Sequence, residues 1–197
     1  MLDLDPRTTA LVLIDVQKGT PAMSLAPHPA AAIVDVSCRL AKAVAENGGL
    51  VVLVRVNFGH DLAAAPKGKT DVPLAVPPGG MPADWSEIAP ALTGAAPHIV
   101  VTKRHWSAFY GTDLDVQLRR RGITHIVLGG LMTNFGVEST ARDAWQHNYT
   151  VVVALDATSS FREDLHRFAI ENTLPRVSLV RKSNEIIAAI ARPSAAA

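Results

Sequence analysis

Short runs of aliphatic and β-branched residues alternate along this chain with longer segments whose apolar residues recur every three or four positions. That alternation predicts an α/β architecture, a parallel sheet with helices on both faces. The first strand is expected over Thr9 to Val16. Its unbroken apolar stretch Ala10-Leu11-Val12-Leu13-Ile14 suits a central strand buried on both sides, and Asp15 interrupts it at its carboxyl end. Ile33, Val36, Leu40 and Val44 step at helical spacing through a helix over Ala31 to Glu46, and Asn47-Gly48-Gly49 supplies a left-handed stop. Further strands are expected over Leu50 to Val56, Ile99 to Thr102, Ile123 to Leu128, Val151 to Leu155 and Val177 to Val180. Between them Thr112 caps a helix carrying Leu114 and Leu118, and a second helix follows the Gly129 to Thr133 turn as far as about His147. Leu165 and Phe168 mark another helix, and Ser183 caps a last one containing Ile186, Ile187 and Ile190. The connection from Phe58 to Pro97 is long and rich in proline and glycine, as functional or covering loops are.

Composition narrows the class. The 197 residues, 48% hydrophobic and 19% charged, are enough for one sizeable core and predict one domain over residues 1–197. No run approaches the roughly 20 apolar residues of a membrane span. A net charge of +1 gives no general attraction to nucleic acid or anionic lipid, and Arg119-Arg120-Arg121 reads as a solvated helix end. Met1 to Pro6 hold two aspartates and no basic-then-apolar export signal, and the lone Cys38 can form no internal disulfide. Both features lead to the expectation of a cytoplasmic protein. Cys38 falls on the first helix, where a free cysteine packs as a small hydrophobe rather than serving as a catalytic thiol.

In an open parallel sheet, ligands bind outside the carboxyl ends of the strands, so polar residues placed there are the first functional candidates. Asp15, Asn57, Lys103 and Asp156 meet this criterion, although such a carboxylate can equally cap a helix or pair with an arginine. The turn from Gly130 to Val137 is a fifth candidate, because the amides that open a helix are free donors for negative charge. Gly129, Gly130 and Gly136 lack the G-x-G-x-x-G spacing of a dinucleotide site, so no cofactor is expected. No G-x-S-x-G elbow, P-loop, H-E-x-x-H or paired C-x-x-C occurs. His60 and Asp61 lack a clear third and fourth ligand, and no metal is expected.

Ala10 to Gln17, the strand-end Lys103, and Gly130-Leu131-Met132-Thr133-Asn134-Phe135-Gly136-Val137-Glu138-Ser139-Thr140-Ala141-Arg142-Asp143-Ala144 together resemble the isochorismatase-like hydrolases over nearly the whole chain. The resemblance implies a three-layer α/β/α Rossmann-like sandwich with a six-stranded parallel sheet, and a homodimer or higher homo-oligomer acting on a small molecule. It matches Asp15 and Lys103 to two members of an Asp-Lys-Cys triad and puts Gly136 at the cysteine. It also implies a cis peptide between Leu131 and Met132, with the Met132 and Gly136 amides facing the pocket as an oxyanion-binding pair.

Glycine cannot form an acyl-enzyme. Isochorismatases of the family also carry glycine there and cleave a vinyl ether, a reaction that needs a proton donor and water, with Asp15 as the acid. Met132 stands where those enzymes place a substrate-contacting tyrosine, and Asn57 where amidase relatives place a metal-binding aspartate. In the Arg104 to Thr112 segment, Trp106 and Phe109 are expected to wall the pocket or an interface, and Trp85 to close over the site. Two functions follow as expectations: a hydrolase using Asp15 as general acid or base with Lys103, or a degenerate small-molecule-binding protein on the same scaffold. Ser139 or Ser107 as a different nucleophile ranks last.

Overall fold

Successive side chains of a strand point to opposite faces of a sheet, and this chain uses that alternation to build two cores on one sheet. The computed structural model describes residues 2–20, 23–59, 61–74, 76 and 79–191. Its strands are β1 (Thr9–Ile14), β2 (Leu50–Val56), β3 (Ile99–Lys103), β4 (His125–Leu131), β5 (Thr150–Ser159) and β6 (Leu179–Arg181). All pair in parallel in the order β3-β2-β1-β4-β5-β6. The helices are α1 (Ala30–Glu46), α2 (Pro90–Thr93), α3 (Leu114–Arg119), α4 (Glu138–Gln146), α5 (Glu163–Phe168) and α6 (Ser183–Ile190). Leu11, Leu13, Val51, Leu53, Val127 and Val152 face α1, α2 and α6. Ala10, Val12, Ile14, Val52, Ile126 and Val153 face α3 and α4. The expected three-layer α/β sandwich is therefore what the chain forms, and no described helix is long and apolar enough to cross a membrane.

The ends of the elements differ from the sequence reading for physical reasons. β1 stops at Ile14 rather than Val16 because Asp15 takes a left-handed φ of 54°, which turns the chain out of the sheet. β4 runs through Gly129 and Gly130 to Leu131 instead of ending at Leu128. Gly130 has a φ of 105°, and a Cβ there would lie 2.0 Å from the Ile14 carbonyl oxygen, so its glycine marks a close strand approach. β5 continues past Leu155 to Ser159, resuming its pairing with Gly130 and Leu131 after a register shift. β6 is shorter than expected and lies over Leu179–Arg181. Thr112 Oγ1 accepts the Leu114 N–H at 3.2 Å, but the N-cap position of α3 is Asp113, one residue later than expected. The helix expected after β4 opens as one turn of π-helix, Thr133–Val137, before α4 begins.

Asp156 is the clearest reassignment. Its carboxylate accepts from the Ser183 N–H at 2.7 Å and the Ser183 hydroxyl at 2.6 Å, so it caps the start of α6 and serves structure. Ser183 is the first residue of that helix rather than its cap.

Two substitutions test the packing. Ser37, on α1, is fully buried and its hydroxyl has no hydrogen-bond partner among the described residues. Ser37→Ala should therefore raise the unfolding free energy by about 1 kcal/mol in urea titration. Gly130→Ala should lower it by roughly 3 kcal/mol or more, since both the φ and the Ile14 carbonyl oppose a side chain.

Candidate active site

The connections after β1 and β4 leave toward opposite edges of the sheet, so a crevice opens between the carboxyl ends of these two neighbours. Asp15 stands at the end of β1, its N–H donated to the Val54 carbonyl at 2.9 Å. Lys103, the last residue of β3, reaches across β2, and its Nζ lies 2.7 Å from Asp15 Oδ2. The ammonium also donates to the His105 carbonyl at 3.0 Å. Lys103 is only 2% exposed and the Asp15 side chain 19%. Burial pushes the Asp15 carboxyl up to about 6, with the Lys103 charge working against that rise. Asp15 Oδ1 is buried without a hydrogen-bond partner among the described residues.

Gly136 completes the convergence. A Cβ there would lie 3.5 Å from Asp15 Oδ2, but also 2.9 Å from the Leu131 carbonyl oxygen and 3.0 Å from Ile14 Cγ2. The position therefore points at the carboxylate and is filled by its own surroundings. The Leu131–Met132 peptide is cis. The π turn closes with the Phe135 and Val137 N–H groups donating to the Met132 carbonyl at 3.0 and 3.2 Å. The Met132 N–H meets no backbone acceptor among the described residues.

Side chains hold this turn from several directions. Thr140 Oγ1 donates to the Gly136 carbonyl at 2.7 Å and accepts the Ala108 N–H at 3.0 Å. The Ser160 hydroxyl donates to Asn134 Oδ1 at 2.5 Å. Thr133 Oγ1 and His166 Nδ1 lie 2.8 Å apart, both buried. Desolvation holds the His166 imidazole down at about 4, aided by nearby His28, so it is neutral at ordinary pH. Helical spacing singles out Leu165 and Phe168 on α5 and gives no signal for His166. The structure instead leaves Phe168 64% exposed and turns His166 inward.

Gln17 is a second residue whose role emerges only from the structure. Its Oε1 accepts the Val56 N–H at 2.7 Å, while its Nε2 donates to the Val56 and Trp85 carbonyls at 3.2 and 3.1 Å. The long loop is thus anchored two residues beyond Asp15, and the Trp85 ring lies 5.9 Å from that of Phe58. Asn57 donates its N–H to the Lys103 carbonyl at 3.2 Å, but its Oδ1 accepts the Gly59 N–H in a local turn. Trp106 is 62% exposed and packs at a tilt against Phe135, with ring centroids 4.9 Å apart, and Phe161 lies 6.5 Å from Phe135.

Phe109 does not share that surface. It is buried against His147 and Tyr149, beside the start of β5, and belongs to the core rather than the pocket wall. Ser107 is spent on a turn, accepting the Phe109 N–H at 3.1 Å. Asp61 Oδ1 likewise accepts the Ala63 N–H, and His60 lies outside the described residues. Among the described residues no group of three or more His, Cys, Asp or Glu is placed to hold a metal.

A carboxylate, an ammonium and a helix-opening turn at the switch point of a parallel sheet put an acid–base group, a charge and amide donors where such sheets bind ligands. The isochorismatase domain model matches residues 9–185. The uncharacterised isochorismatase family protein YecD of Escherichia coli O157:H7 is 43% identical over 190 residues, 96% of this chain and 100% of that one. The ureidoacrylate amidohydrolase RutB of Methylobacterium radiotolerans is 33% identical over 192 residues, covering 86% of this chain and 74% of its own. The structure of an isochorismatase family protein from Burkholderia thailandensis superposes with a TM-score of 0.89 at 45% identity, over 95% of this chain and 97% of that one. The chain belongs to the isochorismatase family, and its class is that of a hydrolase.

The electrostatics of the pair are open to direct measurement. Carboxyl carbon shifts should show Asp15 titrating near pH 6. In Lys103→Met, with the opposing cation removed, its midpoint should move higher still.

Proposed function

We propose that this protein hydrolyses a small metabolite without a thiol. Asp15 moves the proton, Lys103 holds and polarises it, and the Met132 and Gly136 amides receive an oxygen of the substrate. The observation that carries this reading is the Asp15–Lys103 pair, 2.7 Å apart and largely buried, beside a position that has no side chain. In this reading Gly136 occupies the place where the amidases of the family carry their cysteine. No acyl-enzyme can form on it, and the chemistry passes to Asp15.

A vinyl ether suits such a site. A proton delivered to its terminal carbon leaves an oxocarbenium ion, to which water adds. The resulting hemiketal breaks its C–O bond to release a ketone and an alcohol, and the proton lost by the water returns to the carboxylate. Asp15 Oδ2, the oxygen nearest position 136, is held by Lys103 at 2.7 Å, and the carboxyl keeps its other oxygen buried and unpartnered among the described residues. Met132 in place of the substrate-contacting tyrosine argues against isochorismate itself. The likeness to RutB keeps an amide C–N bond as the alternative target.

A second reading, a small-molecule-binding protein with no turnover, is favoured by one observation. The Leu131 carbonyl would lie only 2.9 Å from a Cβ at 136, so the nucleophile's place is closed as well as vacant.

A screen of the purified protein against isochorismate-like vinyl ethers and small amides separates these readings. Turnover should appear and fall at least about 100-fold in Asp15→Asn. For an acid of pKa about 6, kcat/KM should be level below pH 6 and fall about tenfold per unit above it. A base would give the opposite limb. Full turnover in Asp15→Asn would remove Asp15 from the mechanism, and tight binding without any turnover would establish the binding protein.

A further inference from the structure

We propose that His166 is a positioning residue for the π turn: acting through the Thr133 hydroxyl, it fixes the direction in which the turn presents the Met132 and Gly136 amides, without itself touching substrate. Its effect on catalysis rests on the reading of those amides as an anion cradle, but its effect on the turn does not.

The geometry behind this is a bracket. Thr133 is the first residue of the turn and follows the cis peptide directly, so its side chain is the earliest handle on the backbone that leaves β4. That hydroxyl is fully buried, and its partner is His166 Nδ1 at 2.8 Å, on a side chain 4% exposed. The His28 ring stands edge-on to His166, with centroids 5.9 Å apart, and the His28 N–H donates to Ser159 Oγ at 3.2 Å. Beside it Ala26 and Ser160 exchange two backbone hydrogen bonds, of 2.9 and 3.1 Å, so the segment after β1 is fastened to the end of β5. The imidazole is thus carried by α5 and flanked by His28, which β5 holds through Ser159, and it transmits that fixed position to one end of the turn. Thr140 holds the other end through the Gly136 carbonyl.

A π turn is wider than an ordinary helical turn and is rarely stable alone, so its shape depends on what grips its ends. A neutral imidazole suits this role, because it pairs with a buried hydroxyl without the desolvation cost of a charge. Desolvation keeps His166 in that neutral form.

The test uses the full chain, labelled with nitrogen-15, in three variants: Thr133→Val, His166→Leu and His166→Asn. Asparagine can place a polar atom where Nδ1 stands, so it serves as the conservative rescue. Amide hydrogen exchange over 132–137 should quicken at least about tenfold in Thr133→Val and His166→Leu. It should stay near wild type in His166→Asn, with β1 and β2 unchanged in all three. With the vinyl ether or amide turned over in the screen, kcat should fall about 10- to 100-fold with KM within about twofold, and His166→Asn should regain most of it.

Unchanged exchange in the turn, or exchange that quickens equally across the sheet, would overturn the proposal. A turn that loosens while kcat holds would preserve the positioning of the turn and overturn only its catalytic consequence. If His166→Leu fails to fold, Thr133→Val and His166→Asn decide the matter by the same readouts.

Discussion

The whole site depends on how closely β1 and β4 approach at their carboxyl ends. Gly130 lies so near Ile14 that any side chain there would meet the Ile14 carbonyl. This contact carries the end of β4 alongside the end of β1, and only then can the turn that follows Leu131 lie over Asp15. The approach also explains the twin glycines: a Cβ at Gly129 would already meet Leu13 and Ala157, at 3.0 and 3.2 Å. Everything chemical is downstream of that seam. The left-handed Asp15 turns its carboxylate away from the strand, and Lys103 arrives from two strands away.

Burying that pair sets two effects against each other. Desolvation disfavours the carboxylate and the nearby ammonium favours it, and burial prevails. The result is a carboxyl that exchanges its proton in mildly acidic to near-neutral water. The backbone around it is not free to adapt, since Gln17 ties the strand ends to the long loop and Thr140 ties the turn to the loop before α3.

Much of this was legible in the sequence. Runs such as Ala10 to Ile14 announce buried strands, and the polar residues that end such runs, Asp15 and Lys103, are the two that meet in the structure. The same rule also selected Asp156, because a carboxylate that caps a helix and one that handles protons look alike until the partner is known. Trp106 and Phe109 stand three residues apart with equal claims. Only packing separates the exposed ring beside Phe135 from the one buried against His147 and Tyr149. β4 and β5 extend beyond their expected ends, since glycines and buried polar residues such as Thr158 and Ser159 resemble turn signals when their partners are unseen. His166 was hidden because helical periodicity in a six-residue helix is too brief to fix which face turns inward.

The two shifted groups at the site have a joint consequence for the proton inventory of folding. Alone, Asp15 would stabilise the native state most below its unfolded value of 3.8, an advantage lost as pH rises through about 6. His166 alone would act in the opposite sense, stabilising above its unfolded 6.5 and losing that contribution as pH falls through about 4. Between roughly pH 4 and 6, folding therefore draws one proton onto the carboxyl and strips one from the imidazole. The net uptake is near zero, so these two groups leave the acid stability curve nearly flat where the site itself changes character. The molecule can keep a carboxyl poised for proton transfer without a net loss of stability as pH rises through that range, because the imidazole gains what the carboxyl gives up.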